Sequence, residues 1–560
     1  MLAGLALLFM AAQPVSAQGT STPKKETPKG WHLMDKDKDG FHGISLQKAY
    51  DFVKGKKSTQ VIVAVIDSGI DTLHEDLKPV LWKNPKEVPG NGIDDDKNGY
   101  VDDIYGWNFL GGKDGRNVKS DSYEGARVYH KLKPKYGSIT DPSSLSAEEK
   151  EEYKTFLKAK AKIEGAVVGG GVDLLLLKRA LTAAKRNDSV LRIAMQKEVF
   201  TGKELDAYAP TASDAKAARN SLLYLFKAND IMDQTNKEFI EGFSDYLSGE
   251  ERKAESKEKP PRDFRQEIVQ DNEADINDKY YGNPDVMAGT PFHGTHVAGI
   301  IGAQRNNGKG VDGVADNVRI MMLRAVPDGD EHDKDIALAI RYAVDNGAKV
   351  INMSFGKDFS PQKHWVDDAV KYAESKGVLL VHAAGNDHKN LDSTDNFPNA
   401  ELKSYKERAQ NFITVGASSD PTAESGFSSY TASFSNYGKD QVDVFAPGTR
   451  IYSTIPGGNT YGNAQGTSMA SPVVAGLAAL IISYNPHLTP AQVKYVIEKS
   501  ATPVSSKVIL PGSDEEMVSM SSLSRTGGVV NAYEALKLAA TIKPNSKEKL
   551  PKSVLKTGNN

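Results

Sequence analysis

Gly466-Thr467-Ser468-Met469-Ala470-Ser471-Pro472 runs straight into Val473-Val474-Ala475-Gly476-Leu477-Ala478-Ala479-Leu480-Ile481-Ile482. A turn of small residues feeds an apolar run too long for a strand and rich in Ala and Leu, which predicts a buried helix. Thr467 or Ser468 stands at its N-terminus, where unpaired backbone N–H groups and the helix dipole favour negative charge. A serine hydroxyl there has two readings. It caps a core helix, or it is a nucleophile whose oxyanion that field stabilises. The stretch alone does not choose.

Working outward, residues 61–66 form a continuous apolar, β-branched run, which predicts a strand buried on both faces of a parallel sheet. Asp67 then lies at the strand's C-terminal end, where α/β folds build sites. Asp71 is the competing carboxylate and reads as a turn or cap residue. His293-Gly294-Thr295-His296-Val297-Ala298-Gly299 opens a helix of small residues through Gly302. Its H-x-x-H pair lacks the H-E-x-x-H spacing of a zinc site, so His296 is expected to be structural. Strand patterns follow at 318–324, 348–354, 378–384, 411–416 and 442–446, and helix patterns at 335–345, 363–376 and 489–500. That alternation predicts an α/β fold, a parallel β-sheet flanked by helices on both faces.

Three of these stretches carry a family resemblance. Gly466-Thr-Ser-Met-Ala-Ser-Pro472 resembles the serine motif of the subtilisin-like serine peptidases, the subtilases. Val61-Ile-Val-Ala-Val-Ile-Asp67-Ser68-Gly69-Ile70-Asp71 resembles their aspartate motif, and His293-Gly294-Thr295-His296-Val297-Ala298-Gly299 their histidine motif. The chain order Asp, His, Ser, for which subtilisin is the type example, separates this family from other triad folds. The resemblance covers roughly residues 40–110 and 275–540. It implies a subtilisin-like fold and a serine endopeptidase with Asp67, His293 and Ser468 as triad, working through an acyl-enzyme on protein or peptide substrates. Ala384-Gly385-Asn386-Asp387 resembles the oxyanion motif, so Asn386 and the Ser468 amide would hold the oxyanion. Ser354-Phe355-Gly356 matches the edge on which an extended peptide pairs as an added strand. Phe355 and Asp387 would shape the adjoining pocket, Asp387 pointing to tolerance of basic residues. Val473 stands where many members have His, with no expected effect. The chemistry requires no cofactor. Two rival readings are a non-catalytic binding or scaffold protein on a subtilase fold and an α/β-hydrolase esterase. The second needs G-x-S-x-G, yet Ala470 stands two positions after Ser468.

The resemblance also raises the expectation of structural calcium. Asp94, Asp96, Asn98 and Asp102 occupy positions 1, 3, 5 and 9 of a calcium-type loop, with Gly99 at 6; Tyr105 replaces the Glu of position 12. The other reading is an Asx-rich turn. Asp35-Lys-Asp-Lys-Asp-Gly40 has Leu46 at that twelfth position and reads as a charged turn.

The remaining sequence sets the organisation. The 560 residues carry a net charge of -3, which argues against a nucleic-acid partner. With no cysteine, a thiol nucleophile, disulfides and a lipoprotein anchor are excluded. Residues 1–17 read as a signal peptide, with an apolar core over 2–12 and Val15-Ser16-Ala17 before the cut, although no Lys or Arg precedes the core. Export across the cytoplasmic membrane follows, and no other stretch reads as a membrane span. Residues 18–39 read as a polar leader, 40–111 as the first part of the peptidase domain, 281–542 as its remainder and 543–560 as a Lys-rich tail. Only about fifty residues separate the cut from Asp67, and 43–53 resembles mature subtilases, so a folding prodomain is not expected there. His293 lies 226 positions after Asp67, and this span holds a mostly helical insertion over 112–280. Helices are predicted at 146–164, 173–185, 214–227 and 229–247, with Leu222, Leu223, Leu225, Phe226, Ile231 and Phe239 as a seam. Gly169-Gly170-Gly171 reads as a loop and 251–265 as a charged linker. The insertion would restrict access, replace a prodomain or bind a partner.

Overall fold

The computed structural model describes residues 27–165, 173–229, 231–232, 234–289, 291–422 and 429–543. The segment expected to be a signal peptide, the glycine run at 169–171 and nearly all of the expected Lys-rich tail lie outside them. The chain divides into two compact units, one of Ser122–Arg262 and one of Lys25–Asp121 with Asp263–Asn560.

The larger unit is built on a nine-stranded sheet. In chain order its strands are β1 (Val61–Asp67), β2 (Gly106–Asn108), β3 (Val318–Arg324), β4 (Val350–Met353), β5 (Leu379–Ala383), β6 (Phe412–Ser418), β7 (Val444–Pro447), β8 (Thr502–Pro503) and β9 (Gly528–Val529). Their spatial order is β8-β9-β7-β6-β5-β4-β1-β3-β2. All pairings are parallel except β8 with β9. Strand β1 shows why. Val61, Val63 and Val65 enter one apolar layer, with Val297 and Ile301 of helix Phe292–Gly302 and Val474 and Leu477 of helix Thr467–Tyr484. Ala64 and Ile66 enter the opposite layer, with Ile336 and Ile340 of helix Asp333–Asp345 and Val370 of helix Lys363–Ser375. Period-two alternation with both faces apolar demands a covering helix on each side.

Three expectations shift in this unit. Trp31 is buried and donates through Nε1 to Thr449 O (3.0 Å), so the polar leader ends before it. Asp35 caps a short helix by accepting from the amides of Asp37 (3.1 Å) and Lys38 (2.9 Å), and Lys48 Nζ lies 2.8 Å away, so the expected charged turn is the start of a helix. Thr467–Tyr484 is, among the described residues, long and apolar enough to cross a bilayer, contrary to the sequence reading. It is instead the buried helix of the core.

The smaller unit is helical: Glu124–Tyr136, Ala147–Gly165, Leu174–Met195, Gly202–Ala207, Ser213–Ala228 and Asn236–Glu258. Leu222, Leu223, Phe226 and Phe239 are core residues, joined by Leu181, Leu191 and Phe243, while Leu225 and Ile231 pack at its margin. The helix expected to stop at 185 continues to Met195, because Leu181, Ala184, Asn187 and Leu191 stay buried at helical spacing through a polar stretch. The helix expected at 229 starts after Thr235, whose capping box with Glu238 fixes it, and runs to Glu258 through the expected linker. Glu124–Tyr136, carrying Pro134, has no counterpart among the predicted helices. The unit is narrower than 112–280, because Val118 and Val269 are buried with Trp107 and Phe109 in the larger unit's core.

Candidate active site

Asp67 ends β1 and is 1% exposed. Its Oδ1 accepts from the Ser68 amide (2.7 Å) and lies 2.7 Å from His293 Nδ1. A carboxylate next to an imidazole at that distance makes Nδ1 the donor, which leaves Nε2 as an acceptor facing away. Among the described residues, Asp67 Oδ2 is buried without a hydrogen-bond partner. His293 is the second residue of helix Phe292–Gly302. That helix is brought onto the end of β1 by Gly294, where a Cβ would stand 2.1 Å from Gly69 O. Thr295 Oγ1 accepts from the Asp71 amide (2.8 Å), and Asp71 itself accepts from the amides of Leu73 (2.9 Å) and Gly457 (3.2 Å). Asp71 is thus the turn residue expected of it. His296 is buried against Gly462 O (3.2 Å), and burial lowers its pKa to about 4, so its ring is neutral.

Ser468 is the second residue of helix Thr467–Tyr484. Among the described residues its Oγ donates to Ser354 O (3.2 Å) rather than to His293. Asn386 Oδ1 accepts from the amide (2.8 Å) and Oγ1 (3.0 Å) of Thr467, and Thr467 Oγ1 accepts from the Gly385 amide (3.0 Å). Those bonds commit Asn386 Oδ1 to Thr467 and leave Nδ2 on the other side of the amide, 3.5 Å from where a Cβ on Gly466 would stand. Ser354-Phe355-Gly356 leaves the end of β4 next to Ala384-Gly385-Asn386 at the end of β5, because β4 and β5 are neighbours. This arrangement can polarise a hydroxyl, hold a developing oxyanion and pair with an extended chain.

A model of the subtilase family matches residues 58–528. The chain belongs to the subtilase family. It is 45% identical over 214 residues to the thermophilic serine proteinase of Bacillus sp. (strain AK1), covering 38% of this chain and 47% of that protein. It is 36% identical over 244 residues to thermitase of Thermoactinomyces vulgaris, covering 42% and 79%, and 38% identical over 226 residues to subtilisin BL of Lederbergia lenta, covering 40% and 75%. The match spans about half the length of the first of these relatives.

Three residues around this subtilase's site have roles that no motif announces. Thr467 reads in sequence only as a cap. Arg324, the last residue of β3, is buried and donates through Nε to Ser68 O (3.1 Å) and Ala288 O (2.9 Å), through Nη1 to Asn108 Oδ1 (3.0 Å) and through Nη2 to Val118 O (2.6 Å). It ties the loop after Asp67 to the loop before the histidine helix. Burial lowers its pKa to about 10, which leaves it charged. His382 on β5 sits 2.8 Å from Phe355 O, and burial lowers its pKa to about 4; the neutral ring donates through Nε2 and pins the 354–356 segment. Asp387 lies 3.6 Å from Lys389 Nζ, so the carboxylate expected to favour basic residues already has a cation beside it.

The acidic loop differs from the expected ligand set. Asp94 and Asp96 converge with Glu87, each offering an oxygen within 4.8 Å of the others. Asp102 faces elsewhere: its Oδ1 accepts from the amides of Gly90 (2.7 Å) and Asn91 (3.2 Å), and its Oδ2 from Gly92 (2.9 Å). Asn98 spends its side chain on the Tyr100 amide (2.8 Å) and Asp103 Oδ2 (2.9 Å). Glu87 escapes the loop pattern because it precedes it.

Proposed function

We propose that this subtilase is an exported serine endopeptidase using Asp67, His293 and Ser468. The observation that carries the reading is the 2.7 Å contact between His293 Nδ1 and Asp67 Oδ1, which leaves Nε2 ready to accept. On substrate binding, Ser468 Oγ turns from Ser354 O to His293 Nε2. It attacks the peptide carbonyl as His293 takes its proton, and Asp67 stabilises the imidazolium. The oxyanion forms between Asn386 Nδ2 and the Ser468 amide at the helix N-terminus. His293 passes the proton to the leaving amine. Water, deprotonated by His293, then releases the acyl group and restores Ser468. Protein or peptide chains are the substrates, held as an added strand on Ser354-Phe355-Gly356. Export is supported by the 1–17 segment and by 36% identity over 243 residues to the cell wall-associated protease of Bacillus subtilis (strain 168), covering 43% of this chain and 24% of that protein.

Glu87, Asp94 and Asp96 supply the oxygen-only donors that suit a structural calcium. It would brace their loop and take no part in the chemistry. Chelation should lower Tm while leaving the rate of serine labelling at a temperature below the transition unchanged.

The test uses protein lacking residues 1–17 and its Ser468→Ala variant, treated with a serine-reactive fluorophosphonate and then with casein. One adduct on the parent alone, with casein cleaved, is expected. Labelling without casein cleavage leaves the triad and withdraws endopeptidase action on proteins. No labelling of either favours the rival, a subtilase fold without chemistry, which the Ser468–Ser354 bond would then describe.

A further inference from the structure

We propose that Asn352 is a positioning residue for Ser468, acting through a one-way chain of hydrogen bonds between the serine helix and β4. The proposal rests on Ser468 being the nucleophile. Ser471 Oγ donates to Asn352 Oδ1 (2.8 Å), Asn352 Nδ2 donates to Ser354 Oγ (3.0 Å), and Ser354 Oγ donates to Ser468 O (2.9 Å). Asn352 and Ser471 are wholly buried, and Ser354 is 4% exposed.

The direction of the chain follows from the inventory of protons. A carbonyl oxygen only accepts, so Asn352 Oδ1 commits the Ser471 proton. An amide nitrogen only donates, so Asn352 Nδ2 makes Ser354 Oγ the acceptor and leaves its one proton for Ser468 O. The reciprocal bond from Ser468 Oγ to Ser354 O ties the same two residues a second time.

The need for such a chain lies in what surrounds it. The serine helix otherwise meets the sheet side of the core through Met469, Ala470, Val473, Val474 and Leu477. Apolar contact is non-directional, so it fixes the helix's place better than its rotation. The bonded chain is directional. It grips positions 468 and 471, three apart and on one helix face, from Asn352 in β4 and Ser354 just past its end. Asn352 is flanked in the sheet by Val65 and Val381. An apolar residue there would avoid burying an amide, so the amide's contribution is geometric: a fully bonded buried network specifies one arrangement.

Asn352→Asp tests the chain because it keeps the shape and reverses the polarity. Burial raises the pKa of the carboxyl it introduces; at a pH high enough to ionise it, the carboxylate accepts from Ser354 Oγ and draws that proton away from Ser468 O. The expected result is a kcat roughly tenfold to a hundredfold lower, the range that slight misplacement of a reacting group produces, with KM within about twofold. As pH falls and the new carboxylate gains a proton, it donates again as the amide did, so the variant-to-parent ratio of kcat climbs. A purely structural role would leave that ratio flat across pH for the folded protein. Ser471→Ala introduces no buried charge, so it decides the matter if Asn352→Asp does not fold; its kcat should fall about two- to fivefold with KM unchanged, by loss of one link. Parental kcat in both variants, or in Ser471→Ala when Asn352→Asp does not fold, overturns the proposal, as does a flat ratio in folded Asn352→Asp. Fluorophosphonate labelling separates the two readings. An unlabelled parent overturns Ser468 as nucleophile and this proposal with it. A labelled parent with an equally fast Asn352→Asp overturns this proposal alone.

Discussion

Thr467 decides which way Asn386 faces. Its amide and hydroxyl both donate to Asn386 Oδ1, which leaves the side-chain nitrogen for the proposed oxyanion. Asn386→Ala should therefore lower kcat about 10²- to 10³-fold, roughly 3–4 kcal/mol of transition-state stabilisation, with little change in KM, as steady-state kinetics on a peptide substrate would show. Asp67, His293, Asn386 and Ser468, the groups proposed for the chemistry, can be picked out in the sequence because each sits in a short motif. Thr467 is half legible: its place in the motif is plain, but its partner is 81 residues away in the chain. Arg324 and His382 are not legible at all. Each looks like an ordinary strand residue, and only the neighbouring loops give it a task.

At the scale of elements, close approach is the recurring requirement. The histidine helix can meet the end of β1 only because Gly294 has no side chain. Gly294→Ala would place a methyl 2.1 Å from Gly69 O, and backbone must move to admit it. Overpacking of this kind costs about 1–3 kcal/mol, so Tm should fall by several degrees in a thermal melt, with kcat falling alongside as His293 shifts. Strand and helix types in the larger unit are readable because β1 and its neighbours are apolar on both faces. Helix ends in the smaller unit are less so. Thr235 and Glu238 do form a capping box, yet the apolar pattern upstream of them suggests an earlier start. The acidic loop shows the same limit: spacing points to Asp102, while the folded loop turns it onto the amides of Gly90, Asn91 and Gly92 and brings in Glu87.

For the whole molecule, buried neutral histidines set a pH dependence. Burial lowers the pKa of His32 to about 3, with repulsion from His296 adding to it, and lowers His296 and His382 to about 4. Unfolded histidines take up a proton near pH 6.5, and these do not while folded. Their stabilising contribution is thus complete above about pH 6.5 and is lost progressively as pH falls toward 4 and 3. The urea midpoint should drop over that window, and His32→Leu should flatten part of the slope, since among the described residues both ring nitrogens of His32 are buried without partners. A second expectation concerns the smaller unit. Asp121 and Arg265, at the two cut ends of the larger unit, pair with His332 (3.1 Å) and Asp335 (2.7 Å), three residues apart at one helix start. Replacing Ser122–Arg262 with a short Gly/Ser linker should therefore leave a soluble protein that fluorophosphonate still labels. Insoluble product from a soluble parent would mean that the larger unit depends on the smaller one to fold.

By itself the sequence determined the fold class, the family and the identity of the four groups proposed for the chemistry. Those depend on residue type and spacing within a few positions, and apolar periodicity and small-residue motifs are written locally. Tertiary structure alone decided the limits of the smaller unit, which carboxylates of the acidic loop converge, the hydrogen-bond partners of Thr467, Arg324 and His382, and the bonded chain through Asn352. Each of these is a matter of which hydrogen-bonding groups are buried together. A buried polar group takes its partner wherever the fold supplies one, and for these residues the fold often supplies it tens to hundreds of positions away.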